Sequence, residues 1–204
     1  MDDSTTTQWT APEGTQALIF DCDGTLADTM PAHFAAWTTM LAEHGIAFSE
    51  QRFYALGGMP SDRIIALLSE ETGVPVTDVE AMVNRKEDLY LEVIDAIRRV
   101  EIVCDIAERY HGRLPMAVAS GGQRVIVART LAAIAIGDLF DAVVGAEDTE
   151  RHKPDPDVFL EAARRLGADP SACIVFEDTD LGLLAAQRAG MLGVDIRPWI
   201  VTPA

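Results

Sequence analysis

Basic residues are scarce in this chain of 204 residues: 16 Lys and Arg stand against 33 Asp and Glu, for a net charge of −17. That deficit argues against nucleic acid, whose backbone phosphates would meet a repulsive field. It argues equally against an anionic membrane surface. A small anionic ligand stays possible where a site carries its own local cations. Cysteine is scarce too. Cys22, Cys104 and Cys173 make an odd count, and their spacing fits no zinc pattern. They read as reduced, mostly buried thiols of a cytoplasmic protein. No apolar run approaches the ~20 residues of a membrane span. The opening "MDDSTTTQWTAPEGTQ" has neither the basic start nor the apolar stretch of a signal peptide. Residues 1–15 are polar, with Pro and Gly, and are expected to form a disordered tail. Internal repeats and low-complexity linkers are missing.

What is present is enough for a core. Hydrophobic residues make up 49% of the chain, and the length suits one domain carrying a smaller insert. Five short apolar runs predict buried parallel strands: "ALIF" (17–20), "MAVAS" (116–120), "DAVVG" (141–145), "CIVFE" (173–177) and "LGVDI" (192–196). Helical spacing of apolar residues lies between the later ones, over 125–134, 156–167 and 181–191. Pro156 stands near the start of the second helix and Gly167 just past its end. The alternation predicts an α/β fold with a Rossmann-like parallel sheet and right-handed crossovers. Residues 31–99 break it. They read as helix after helix, an all-helical cap inserted over the carboxyl ends of the strands. The core domain is then 16–30 and 100–204.

In an open parallel sheet, ligands bind beyond the carboxyl ends of the strands. The polar residues there are Asp21, Asp23, Gly24 and Thr25 in "FDCDGT"; Ser120, Gly121 and Gly122; Glu177 and Asp178; and Lys153 on the loop "RHKPDP". Crowded carboxylates repel and raise each other's pKa. A hard divalent cation relieves that, and few protein ligands completed by water and phosphate suit Mg²⁺. Asp21 and Asp178 supply side chains, and the backbone carbonyl of Asp23 a third ligand. The same groups suit phosphoryl transfer. One carboxylate attacks phosphorus, and a second protonates the leaving oxygen and then deprotonates water. Gly24 lets the backbone approach the phosphate. Thr25 and Ser120 can donate hydrogen bonds to it.

"DCDGT", Ser120 in "AVASGG", Lys153 in "HKPDPDVF" and "FEDTDLGLLAAQRAGM" together resemble the four motifs of the haloacid-dehalogenase superfamily, in its phosphatase and β-phosphoglucomutase-like branch. The resemblance runs in order from about Ala17 to Arg197. It implies Asp21 as nucleophile, Asp23 as general acid and base, and Ser120 and Lys153 as phosphate stabilisers, with Gly121 beside them. It also implies Asp178 as metal ligand, with Glu177 a metal or lysine partner. In the cap it implies substrate contacts from His33 and Lys86, with Arg63 as a second anchor. "HGRLPMAV" and "RHKPDPDVFLEAARRLG" are most similar to small bacterial phosphatases of fructose 1-phosphate and 6-phosphogluconate. Thr179 stands where Ser is common, and "RRVEIV" replaces a Pro-Gly turn at the second cap linker. The implied activity is Mg²⁺-dependent hydrolysis of a small phosphorylated sugar or sugar acid, by a monomer. A sugar-phosphate mutase of the β-phosphoglucomutase type is the alternative. A signalling receiver domain shares the Asp, hydroxyl and Lys. It does not explain a nucleophile on the first strand, a carboxylate two residues on, or a large cap.

Overall fold

Ala17–Phe20 form β1, the central strand of a five-stranded parallel sheet, and all four residues are fully buried. In the computed structural model, which describes residues 9–200, Met116–Ala119 form β4 and Cys173–Glu177 form β6. These two flank β1, in the registers Phe20↔Val118 and Phe20↔Phe176. Ala142–Val144 (β5) and Leu192–Asp195 (β7) close the edges. The fold is thus α/β, with each of the five predicted strands in place. The chain leaves β1 for one side of the sheet and later returns to its other side, so the ends of β1 and β6 lie at a switch point, where such sheets bind ligands.

Burial on both faces explains the continuous apolar runs, and their alternation decides which helices each face meets. Leu18, Phe20, Val118, Ile174 and Phe176 share one cluster with Glu101–Tyr110 (α5) and Arg124–Ala133 (α6). Ala17, Ile19, Ala117, Ala119 and Val175 share the other with Asp157–Leu166 (α7) and Asp180–Arg188 (α8). The predicted start and stop of α7 hold: Pro156 precedes it, and Gly167 ends it at a φ of 66°.

Two helix-side expectations need correction. Residues 9–15 are not a free tail. Trp9 packs edge-on against Phe176 at 4.8 Å and Tyr110 at 5.8 Å, and the Ala11 N–H donates to the Tyr110 hydroxyl at 2.7 Å. One large aromatic side chain offers enough apolar area to hold a polar segment down. Residues 1–8 lie outside the described residues. The helical reading of residues 31–99 ends early: Val79–Leu91 form a helix (α4), and Arg98–Arg99 form a strand (β3).

β3 pairs antiparallel with Ala27–Asp28 (β2), and the Val100 N–H donates to the Leu26 carbonyl at 2.9 Å. This two-stranded ribbon joins the two chain segments that leave and re-enter the sheet layer. Between them lie Met30–Glu43 (α1), Glu50–Ala55 (α2), Ser61–Thr72 (α3) and α4. Trp37, Met40, Leu41, Phe53, Ile65, Leu68 and Met82 give this insert a hydrophobic cluster of its own. Among the described residues, no helix is long and apolar enough to cross a membrane.

Candidate active site

Asp21 is the first residue past β1, and its N–H continues the ladder by donating to the Phe176 carbonyl at 3.0 Å. Its side chain meets Lys153, whose Nζ donates to Asp21 Oδ1 at 2.6 Å, to Glu177 Oε1 at 2.7 Å and to the Ala119 carbonyl at 3.3 Å. All three charged residues are buried. Burial pushes the Asp21 carboxyl well above the usual range; Lys153 opposes this, while Glu177, Asp178 and Asp23 add to it. Burial alone would lower the Lys153 ammonium, but the two carboxylates in contact with it hold it above its ordinary value.

Glu177 was expected to partner a metal or a lysine, and here it partners Lys153. Its Oε1 takes Lys153, and its Oε2 accepts the N–H and hydroxyl of Thr179 at 2.7 and 2.8 Å. With both oxygens engaged, Glu177 holds the lysine and braces Thr179. The Thr179 hydroxyl in turn caps α8 by accepting the Gly182 N–H at 3.0 Å. Gly182 is required here, because a Cβ on it would fall 1.7 Å from Glu177 Oε1.

Asp23 faces the insert. Its Oδ1 accepts the Thr29 hydroxyl at 2.7 Å and meets His33 Nε2 at 3.0 Å, and the Ser120 hydroxyl lies 3.4 Å from Oδ2. Burial pushes this carboxyl up, but the charge and hydrogen bond of His33, the hydrogen bond of Thr29 and the charge of Lys86 outweigh it and hold Asp23 well below the usual range. Two carboxylates two residues apart therefore have opposite environments. The His33 ring stacks on Tyr90 at 4.0 Å, and the Tyr90 hydroxyl is 2.8 Å from Thr130 Oγ1 on α6, a buried bond from insert to core.

Gly24 has a φ of 82°, and a Cβ there would lie 2.3 Å from Asp178 Oδ2. The missing side chain lets Asp178 come up beside Asp21. Thr25, expected to face phosphate, is instead fully buried and donates to Asp178 Oδ1 at 3.0 Å, so it positions that carboxylate. Burial, followed by the charge of Glu177, pushes Asp178 up to about 7. Asp21 and Asp178 are thus a crowded pair whose charges need a counter-ion beyond Lys153. Among the described residues, no group of three or more His, Cys, Asp or Glu side chains could hold a metal ion by side chains alone. Two carboxylates and a backbone carbonyl fit Mg²⁺, which keeps several waters and binds few side chains.

The insert supplies the other wall of a cleft of about 810 Å³, mouth included. Asp21, Asp23, Ser120 and Gly121 line one side; His33, Trp37, Phe53, Met59, Lys86 and Glu87 line the other. Lys86 is buried, not solvated. Its Nζ donates to Glu87 Oε1 at 3.0 Å and lies over the Trp37 and Tyr90 rings at 5.7 and 5.9 Å. Arg63 is not at the site. It is exposed on α3, while Ser61 and Ile64 of the same helix line the cleft. At ~100° per residue, position 63 points about 200° away from position 61. Glu87, Tyr90, Phe53 and Thr130 have no counterpart in the sequence-based site. Tyr90 could have been flagged, because it lies four residues after Lys86 and so shares its helix face.

The sequence profile described as "Haloacid dehalogenase-like hydrolase" matches residues 18–194. The fructose-1-phosphate phosphatase YqaB of Escherichia coli is 40% identical over 181 residues, covering 88% of this chain and 95% of that one. The β-phosphoglucomutase of Bacillus subtilis is 28% identical over 189 residues, covering 89% and 83%. A hydrolase from Pseudomonas syringae superposes with a TM-score of 0.80 at 30% identity, over 89% of this chain and 84% of that one.

Proposed function

Because the chain belongs to the haloacid dehalogenase-like hydrolase family, in its β-phosphoglucomutase-like branch, and is a phosphatase of that family, we propose that it hydrolyses a small sugar phosphate through an aspartyl-phosphate on Asp21. The observation that carries this reading is the buried Lys153 held between Asp21 and Glu177, two residues that line the cleft beneath the insert. Lys153 orients the Asp21 carboxylate for in-line attack and offsets the negative charge of an incoming phosphate. Ser120 and the backbone around Gly121 stand where they can donate to phosphate oxygens. Asp23, fixed by Thr29 and His33, moves the proton, first to the leaving oxygen and then from water. Asp21, Asp178 and the Asp23 carbonyl would hold Mg²⁺, which when bound supplies positive charge against the transferring phosphoryl group. The insert acts as a cap that excludes bulk water and large substrates.

The place of Arg63 supports hydrolysis over phosphate migration within a sugar. A mutase must grip a distal phosphate, and among the described residues Lys86, the lysine lining the cap wall, is already paired with Glu87. The likeness to the Escherichia coli phosphatase supports a ketose 1-phosphate or a similar monophosphate. Three buried, unpaired cysteines support a reducing, cytoplasmic setting. The test is a phosphate-release screen over sugar and sugar-acid monophosphates, in Mg²⁺ and in EDTA. Release in Mg²⁺ that vanishes in chelator and returns with added Mg²⁺ is the expected result. Full activity in chelator overturns the metal role of Asp21 and Asp178.

A further inference from the structure

One close approach between insert and sheet layer is between two backbones. The turn joining α2 to α3 runs through Gly57, Gly58 and Met59, and Gly58 has a φ of 83°. Its carbonyl faces Gly121, the residue after Ser120: a Cβ built on Gly121 would lie 2.7 Å from Gly58 O and 3.3 Å from Gly58 C. On the insert side, a Cβ on Gly58 would lie 3.6 Å from Lys153 Cδ and 3.8 Å from Thr179 Oγ1, and one on Gly57 would lie 3.4 Å from Thr179 Cγ2. The turn therefore seats on the phosphate-facing loop, on the catalytic lysine and on the first turn of α8 together. No flexible side chain lies between Gly121 and the Gly58 carbonyl to absorb a change in spacing. Packed contacts of this kind do not deform gradually.

We propose that the Gly58–Gly121 contact is a specificity-determining stop for the cap: the absence of a side chain at Gly121 sets how far the cap closes, and so selects small sugar phosphates over larger or flatter esters. This rests on the phosphatase reading above. Gly121 acts as a positioning residue through Gly58. A methyl at position 121 leaves the backbone N–H for phosphate intact but pushes the turn off Lys153. A compact substrate that fills the closed cleft then loses its enclosure. A phenolic ester, whose good leaving group needs little help from the cap, loses less than the sugar phosphate does.

The test compares a ketohexose 1-phosphate with p-nitrophenyl phosphate in wild type, Gly121→Ala and Thr179→Ser, with inorganic phosphate as competitive inhibitor. Gly121→Ala is expected to lower kcat/KM for both esters, and for the sugar phosphate at least about threefold more than for p-nitrophenyl phosphate, as for losing a closure step on top of any loss at the phosphate-facing backbone. Inhibition by inorganic phosphate measures the loss at the phosphate-facing backbone itself, and the ratio of the two esters measures what is left for closure. Thr179→Ser keeps the helix-capping hydroxyl and removes only the methyl against Gly57; it should shift the ratio the same way by about twofold, as for loss of one packed methyl partner. It keeps the comparison available if Gly121→Ala does not fold. Equal losses on both substrates, or an unchanged ratio in the folded variants, would overturn the stop. A wild type that hydrolyses neither ester would instead overturn the phosphatase reading itself.

Discussion

On the core wall of the cleft, the carboxylates of Asp21, Asp23 and Glu177 each have partners at 2.6–3.0 Å, drawn from Lys153, Thr29, His33 and Thr179. On the insert wall, Glu87 Oε2 and His33 Nδ1 are buried with no partner among the described residues, and Trp37, Phe53 and Met59 line the same wall. The difference separates two tasks. A wall whose charges are already fixed has little reorganisation left at the moment of reaction, which is what transition-state stabilisation requires. A mostly apolar wall with few polar atoms is how pockets choose among ligands. On the proposed function, chemistry belongs to the core wall and selection to the insert wall.

The largest effect that could break this division is on Asp21. Asp21→Asn keeps the shape and removes the attacking charge, so kcat should fall by at least ~10³-fold, as for other members of a covalent catalytic unit. Steady-state kinetics on a sugar monophosphate measure it, and a variant above a tenth of wild-type kcat would remove Asp21 from the role. Lys153→Met comes next, because it touches fold as well as chemistry. It leaves Asp21 and Glu177 buried without their counter-charge, and breaking such a buried pair costs about 3–5 kcal/mol. Urea unfolding should show that loss together with loss of turnover; a change under ~1 kcal/mol would mean the cluster is not held by its charges.

Lys86→Ala tests the other wall. Losing a charged hydrogen-bond donor should raise KM roughly tenfold, with kcat changed much less. A fall in kcat as large as that of Asp21→Asn would move Lys86 to the chemistry and blur the two walls. The smallest effect concerns the seam between them. Tyr90→Phe removes the 2.8 Å bond to Thr130; stability should drop by about 1 kcal/mol, with kcat within twofold. A large loss of activity would mean that the seam positions His33 and does not merely join the layers.

The core wall was legible in the sequence because its residues follow strands that announce themselves. β1, β4 and β6 are short apolar runs buried on both faces, and Asp21, Ser120 and Glu177 lie at or just past their ends. What each side chain does there was less legible. Whether Glu177 holds a metal or a lysine depends on Lys153, which arrives from a separate loop. Thr25 could serve phosphate or Asp178 until the turn at Gly24 brought the carboxylate within reach. The insert wall rests on helix faces, and one residue of phase decides the outcome, as Ser61 and Arg63 show. β2 and β3 are two residues long, too short for any hydrophobic period. Helix α5 was readable in principle from Val103, Cys104, Ile106 and Ala107, all buried at helical spacing. Trp9 was not, because a lone aromatic in a polar stretch has no pattern to place it.

The most direct measurement is chemical trapping of the enzyme during turnover. The protein, with Mg²⁺, is mixed with a ketohexose 1-phosphate carrying labelled phosphorus and quenched in acid within milliseconds. One portion is then reduced with borohydride, which converts an acyl phosphate to the alcohol, and both portions are mapped by mass spectrometry. The account predicts label on the peptide holding Asp21 in an unreduced portion, homoserine without label at position 21 in the reduced portion, and release of inorganic phosphate equal to the substrate consumed. Phosphate release with no adduct at Asp21 would contradict it, as would an adduct whose phosphate returns to the sugar at another position faster than it reaches water.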